Sequence, residues 1–254
     1  MQVDLTMSAS SPVDVHIWFQ GTESLDHEAL ALAGQVLNQE ERVRRDRFRF
    51  YEDQRDYAAA HSLLRHTLSK HHSGRGPSDW HFEKDAFGKP YIVGSDGELP
   101  AMEFSLSHTR GLVACAISSA RVGIDVERIR QNFDYEDIAL SNFSQEEIKA
   151  LEQLPTNVRN NRILELWTLK EAFLKAIGRG LSVNLDSMWF ELLPSGEIRF
   201  HSNSDIDTTS WKFALFTPDH EAWMAVAVES RTLPRLLLQG TSAWKFHRKS
   251  LAQA

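Results

Sequence analysis

An α+β fold is predicted by two observations. Helical periodicity covers residues 26–37, 52–70 and 161–177, while short apolar or alternating runs of strand character fill much of the remaining chain. The two kinds of segment do not alternate in the βαβ manner that builds a parallel sheet.

Residues 1–12 are small and polar and are expected to form a flexible tail, after which the alternating stretch from Val13 to Phe19 reads as a first strand. Helical chain follows at 26–37 and at 52–70 (EDQRDYAAAHSLLRHTLSK), and the breaker Gly74-Arg75-Gly76-Pro77 ends it. Strand-like pieces at Trp80–Glu83 and Lys89–Val93 flank the turn Phe87-Gly88-Lys89-Pro90, with a loop over Gly94–Pro100. Phe104-Ser105-Leu106-Ser107-His108-Thr109 reads as a polar turn before a strand. Leu112–Ser118 and Arg121–Glu127, joined at Ser119-Ala120, have the pattern of a hairpin. Ser144 with Glu147 three residues on marks a capped helix start, and a further helix over 161–177 ends at Gly178 and Gly180. Strand-like runs at Met188–Leu192, Glu197–Phe200, Trp211–Phe216 and Trp223–Val228 complete the fold. Residues 231–254 carry five Lys or Arg and no acid, the composition of a basic, loosely packed tail.

The chain has 254 residues, of which 42% are apolar and 25% charged, values that fit a globular protein and exclude disorder or collagen-like repeats. Its 28 Lys and Arg stand against 35 Asp and Glu, a formal charge of −7, so no overall positive field draws it to nucleic acid or an anionic membrane. Any anion it binds must meet a local basic pocket. The single cysteine, Cys115, permits no internal disulfide or Cys-built zinc site and reads as a buried, inert thiol in an apolar strand. The first residues lack a basic start and an apolar run, and apolar stretches such as Leu112 to Ile117 are far too short to span a bilayer. A cytoplasmic monomer is expected.

Three constellations carry chemistry. In the run from Val122 to Glu127, alternation turns Val122, Ile124 and Val126 to the core and sets Asp125 and Glu127 about 7 Å apart on the other face. Two such carboxylates suit a hard divalent cation such as Mg²⁺, with Gly123 leaving room beside them; the same spacing fits an ordinary solvent-facing strand edge. Trp167, Glu171 and Lys175 fall four residues apart on one helix stripe, so Glu171 could add a third carboxylate and Lys175 could take phosphate charge. Taken alone, that pair equally suits a surface bridge. The segment from Phe104 to Thr109 offers hydroxyl, backbone and imidazole groups to a phosphate, or simply satisfies its own turn. A Ser-His nucleophile is disfavoured because no Gly-x-Ser-x-Gly elbow is present. His61, His66, His71 and His72 have no i,i+4 ligand pairing and read as helix-surface residues.

These elements occur together and in order: Gly88-Lys89-Pro90, then Phe104 to Thr109, then Gly123 to Glu127, then Trp167 to Lys175. Upstream stand Arg44, Arg47 and Phe48 with Asp53 and Arg55, and downstream Gly180-Leu181-Ser182 with Leu185-Asp186. The set resembles the motif series of the Sfp-type 4′-phosphopantetheinyl transferases, over about residues 13–228. Ser105 departs from the family pattern, which often has Asn there.

The resemblance implies transfer of the 4′-phosphopantetheine arm of coenzyme A to a serine of an apo acyl, peptidyl or aryl carrier protein, with release of 3′,5′-ADP. It implies a pseudo-dimer of two similar halves, 13–119 and 120–230, each a small antiparallel sheet packed on a long helix, with the active site between them. It assigns Asp125, Glu127 and Glu171 to Mg²⁺ (or Mn²⁺), Glu171 also as base for the carrier serine, and Lys175 to pyrophosphate charge. It assigns Ser107 and His108, with Arg44, Lys89 and Pro90, to the coenzyme A adenosine and 3′-phosphate end, and Arg47 and Arg55 as further contributors. Two rivals share the residues: another Mg²⁺-dependent phosphotransfer or phosphodiesterase enzyme, and a non-catalytic coenzyme A or carrier-binding module.

Overall fold

The computed structural model describes residues 12–94, 102–130, 133–240 and 247–248. The expected tail lies outside them but for its last residue, as does most of the Gly94–Pro100 loop. Strand β1 (Asp14–Gly21) buries Val15, Ile17 and Phe19 on one side, as its alternation requires. Three helices follow: α1 (His27–Gln35), α2 (Gln39–Asp46) and α3 (Tyr51–His71). Helix α2 has no counterpart in the periodicity because Val43 is its only apolar residue; its signal is the capping box in which Asn38 and Glu41 bond each other's backbone.

A hairpin of β2 (His81–Lys84) and β3 (Pro90–Val93) leads to β4 (Glu103–Thr109), β5 (Leu112–Ser118) and β6 (Val122–Arg128). Then come α4 (Glu136–Asn142), α5 (Gln145–Glu152), the long α6 (Thr156–Ile177) and the hairpin of β7 (Met188–Leu192) and β8 (Ile198–Ser202). The chain continues through β9 (Trp211–Asp219), β10 (Ala222–Glu229), β11 (Arg235–Gly240) and β12 (His247–Arg248).

Two expectations are corrected. The segment from Phe104 to Thr109 is a strand, not a turn: its serines mimic turn chemistry but point inward. The stretches on either side of Ser119-Ala120 do not form a hairpin. β5 is paired on both edges, by β1 and β4, and β6 pairs with β10, so the short connection carries the chain from one sheet to the other.

The order β11-β1-β5-β4 makes one four-stranded sheet and β12-β9-β10-β6 the other. Ala60, Leu64 and Leu68 of α3 pack on Val113, Cys115 and Ile117 of β5, while Leu169, Phe173 and Ala176 of α6 pack on the second sheet with Ala225 and Ala227. Between the sheets Ile17, Ala114, Ile124, Phe216 and Val226 form a third core. The expected α+β pseudo-dimer, two sheet-on-helix units facing one another, is thus the observed architecture, with one correction: only the second sheet is antiparallel throughout, because β11 joins the first in parallel with β1.

The sheets are not joined by a backbone ladder. Edge strands β4 and β6 meet instead through serines: Ser105 Oγ accepts the Ile124 N–H at 3.0 Å, and Ser107 Oγ accepts that of Val126 at 3.2 Å. Ser105 therefore satisfies a buried backbone donor between the halves. The C-terminal segment is not wholly loose either. β11 runs parallel to β1, with Arg235 bonded to the Asp14 carboxylate, so residues 235–240 extend the sheet of the N-terminal half. No helix among the described residues is long and apolar enough to cross a membrane.

Candidate active site

Alternation along β6 places Val122, Ile124 and Val126 in the inter-sheet core and turns Gly123, Asp125 and Glu127 toward α6. At Gly123 the helix comes so close that a Cβ would lie 1.9 Å from the Ala172 carbonyl oxygen and 2.5 Å from the Ala176 nitrogen. The glycine therefore admits the helix, and the expectation that it leaves room for a ligand is corrected. This contact brings the stripe Trp167, Glu171 and Lys175 over the two carboxylates.

Lys175 does not bridge Glu171 along the helix surface. Its ammonium donates to Asp125 Oδ1 at 2.6 Å and to Ser107 Oγ at 2.8 Å, and the Ser107 hydroxyl donates to Asp125 Oδ1 at 2.9 Å. Asp125 is buried, and its Oδ2 has no hydrogen-bond partner. Trp167 Nε1 lies 3.4 Å from Glu127 Oε1. Burial first, and then the Asp125 charge, push the Glu127 carboxyl up to about 7; the same two causes, in the same order, raise Glu171, partly offset by Lys175. Like charges are thus compressed around an unsatisfied carboxylate oxygen.

That pattern suits a cation. The donors are all oxygen, a buried lone pair is unmet, and mutual repulsion is relieved when a positive ion enters. Among the described residues no three acidic, histidine or cysteine side chains stand close enough to enclose a metal ion, so Asp125, Glu127 and Glu171 are not a closed cage. Mg²⁺ is usually held by one or two carboxylates together with waters and substrate phosphates, and this donor set fits that mode.

Beside the acidic cluster opens a cleft of about 640 Å³, whose walls include Glu171 and Lys175 from α6, Arg44 from α2, and Lys89 and Pro90 from the hairpin. Lys89 Nζ bonds Glu103 at 2.9 Å and the Ala176 carbonyl at 3.0 Å, a cation on the C-terminal turn of α6 and a tie between the halves. A second space of about 420 Å³ adjoins through Arg44, Pro90, Phe104 and Leu106, and adds Tyr57 and His61. His61 was read as a surface residue, yet its Nδ1 lies 2.9 Å from the buried Glu41, which also binds Arg65.

Ser107 and His108 do not share a face. Ser107 joins the Asp125–Lys175 cluster, while His108 is exposed on the other side of β4. Partial desolvation by the surrounding protein, then the Lys175 charge, lower the His108 pKa. Arg55 is occupied by the buried Asp56 at 2.9 Å, which answers Thr22 and the Gly111 N–H. Cys115 is fully buried and its thiol is pushed up to about 12, as an inert core residue should be. Phe87 and Leu174, which line the cleft, and Tyr57 were missed, since an apolar side chain carries no mark of facing a cavity.

Comparison with known proteins identifies the family. The family model for the 4′-phosphopantetheinyl transferase superfamily matches residues 121–227, and that for the 4′-phosphopantetheinyl transferase N-terminal region matches 24–120. The 4′-phosphopantetheinyl transferase HetI of Nostoc sp. is 31% identical over 216 residues, covering 85% of this chain and 87% of that one. The 4′-phosphopantetheinyl transferase Sfp of Bacillus subtilis is 31% identical over 162 residues, 64% of this chain and 69% of that one. A solved holo-[acyl-carrier-protein] synthase from Thermotoga maritima superposes with a TM-score of 0.37 at 25% identity, covering 44% of this chain and 64% of that one. With both halves matched by family models and HetI aligned over most of its length, the chain belongs to the 4′-phosphopantetheinyl transferase family, of the Sfp type.

Proposed function

We propose that the cleft between the two halves transfers the 4′-phosphopantetheine arm of coenzyme A to a serine of an apo carrier protein, releasing 3′,5′-ADP. The observation that carries this reading is the junction of β6 and α6, where Lys175 bonds Asp125 at 2.6 Å and Glu171 stands on the wall of the cleft.

The reaction breaks the pyrophosphate link of coenzyme A and forms a phosphodiester to the serine oxygen. A serine hydroxyl is a poor nucleophile at neutral pH and must lose its proton as it attacks. Glu171 is the base: burial and the Asp125 charge raise its pKa toward the working pH, where proton transfer is most effective. Lys175 neutralises charge on the pyrophosphate and on the departing 3′,5′-ADP, and Ser107 and Asp125 hold its ammonium in place. Asp125, Glu127 and Glu171 would hold Mg²⁺, or Mn²⁺ in its place, and the ion would spread the negative charge of the pyrophosphate. Arg44, Lys89 and Pro90 receive the adenosine and 3′-phosphate end, and His108, on the face of β4 that carries Phe104 and Leu106 of the cavity walls, adds a contact there.

A chain of net charge −7 thus gathers Arg44, Lys89 and Lys175 around one cleft, the local basic pocket an anionic substrate needs. It acts as a soluble cytoplasmic monomer. The test follows 3′,5′-ADP release from coenzyme A with an apo carrier present or absent, and with a chelator added. Release is expected only with carrier and divalent ion together. Carrier-independent hydrolysis would favour the phosphodiesterase rival, and binding without turnover the non-catalytic one.

A further inference from the structure

On the face of α6 turned away from β6, the side chains of Lys170 and Glu147 are both 0% exposed and lie 2.8 Å apart. The Lys170 ammonium donates to three acceptors on two segments: Glu147 of α5, and the Leu185 carbonyl at 2.8 Å with the Met188 carbonyl at 2.6 Å on the stretch that follows α6. Glu147 in turn accepts the Ser144 N–H at 3.0 Å and the Phe190 N–H at 3.1 Å, and the Phe143 ring centre lies 5.3 Å from the ammonium.

A buried ion pair is a poor way to gain stability, because desolvating two charges offsets most of their attraction, and apolar side chains of similar volume often do as well. What it supplies is direction. An apolar contact at Lys170 would fill space but leave α6 free to turn about its axis, whereas an ammonium with all its donors committed fixes the helix azimuth. Consecutive helical residues are about 100° apart, so the roll that Lys170 sets is also the roll of Glu171 on the next face. A turn of about 20° would carry a carboxylate roughly 5–6 Å from the axis through about 2 Å. Displacements of about 1 Å can cost roughly a hundredfold in rate. Leu185 and Met188 also anchor the far end of the segment that leaves α6 through Gly178 and Gly180, both on the cleft wall.

We infer that Lys170 and Glu147 are positioning residues for the transfer reaction, clamping α6 and the segment 178–188 so that Glu171 and Lys175 are held toward the cleft. The inference rests on the proposed activity.

The test is the double variant Glu147→Gln/Lys170→Met, which leaves no unpaired buried charge. Melting is expected near that of the parent, with kcat reduced at least about tenfold, KM for coenzyme A within about twofold, and faster amide exchange across 178–188. A control, Leu68→Ala in the N-terminal core, loses stability and is expected to keep kcat. Parental kcat in the double variant would overturn the clamp. If the double variant does not fold, Glu147→Asp, which keeps the charges and shortens the reach, must show the same loss of kcat, and an unchanged rate overturns the proposal. If the parent chain transfers nothing, the activity reading fails by itself; amide exchange then decides, and unaltered exchange across 178–188 rejects the clamp.

Discussion

At the scale of single residues, three carboxylates on one strand and one helix are forced together, and burial with the Asp125 charge raises the carboxyls of Glu127 and Glu171. The Glu127 carboxyl stands near 7 in the fold against an ordinary 4.5, raised by burial and by Asp125. A pKa raised on folding means that the associated stability is fully present below about 4.5 and lost as pH rises through about 7. Glu127→Gln should therefore stabilise the metal-free protein at pH 8 by roughly 1–3 kcal/mol, seen as a higher melting temperature, and the gain should vanish toward pH 4.5. Added Mg²⁺ should stabilise the parent more than the variant, and thermal melts across pH with and without Mg²⁺ measure both effects. Lys175→Ala should lower kcat by ~10²–10³ while circular dichroism stays that of the parent, because the loss is of a placed charge; a near-parental kcat would return Lys175 to a packing role. His108→Ala should instead shrink the preference for coenzyme A over 3′-dephospho-coenzyme A, measured as a ratio of kcat/KM values.

At the scale of elements, the contact that matters is β6 on α6. Its sequence signals were the alternation of Val122 to Glu127 and the four-residue spacing of Trp167, Glu171 and Lys175, and both survive in the structure because period and face are local properties. What the spacing could not show is pairing. Ser107 reads as a turn residue until β6 lies beside it, and β5 and β6 read as a hairpin because apolar runs do not name their partners. Helix α2 was missed since charged helices show no apolar period, although Asn38 and Glu41 carried its cap. Gly123 is the sharpest probe of this element pair. Gly123→Ala would set a methyl against backbone atoms of Ala172 and Ala176, which cannot rotate away. The expected cost is about 1–3 kcal/mol of stability, read in chemical denaturation, together with a lower kcat because α6 carries Glu171 and Lys175.

At the scale of the molecule, two sheet-on-helix units face one another and each supplies what the other lacks. In the proposed reaction the N-terminal half brings Arg44, Lys89, Pro90 and Ser107, the C-terminal half Asp125, Glu127, Glu171 and Lys175, so neither half alone would hold the chemistry. The doubling was legible only through the ordered motifs, because the halves share architecture without an evident repeat in their residues, and because β11 crosses back from the C-terminus to pair with β1. The central claim is that this cleft modifies carrier proteins. The most direct measurement is the intact mass of an apo carrier, drawn from a panel of acyl, peptidyl and aryl types, after incubation with coenzyme A, Mg²⁺ and either the parent chain or Glu171→Gln. A gain of one phosphopantetheine on the carrier serine with the parent, and almost none with Glu171→Gln at unchanged melting temperature, is the predicted result. An unmodified panel, or equal modification by both proteins, would contradict it.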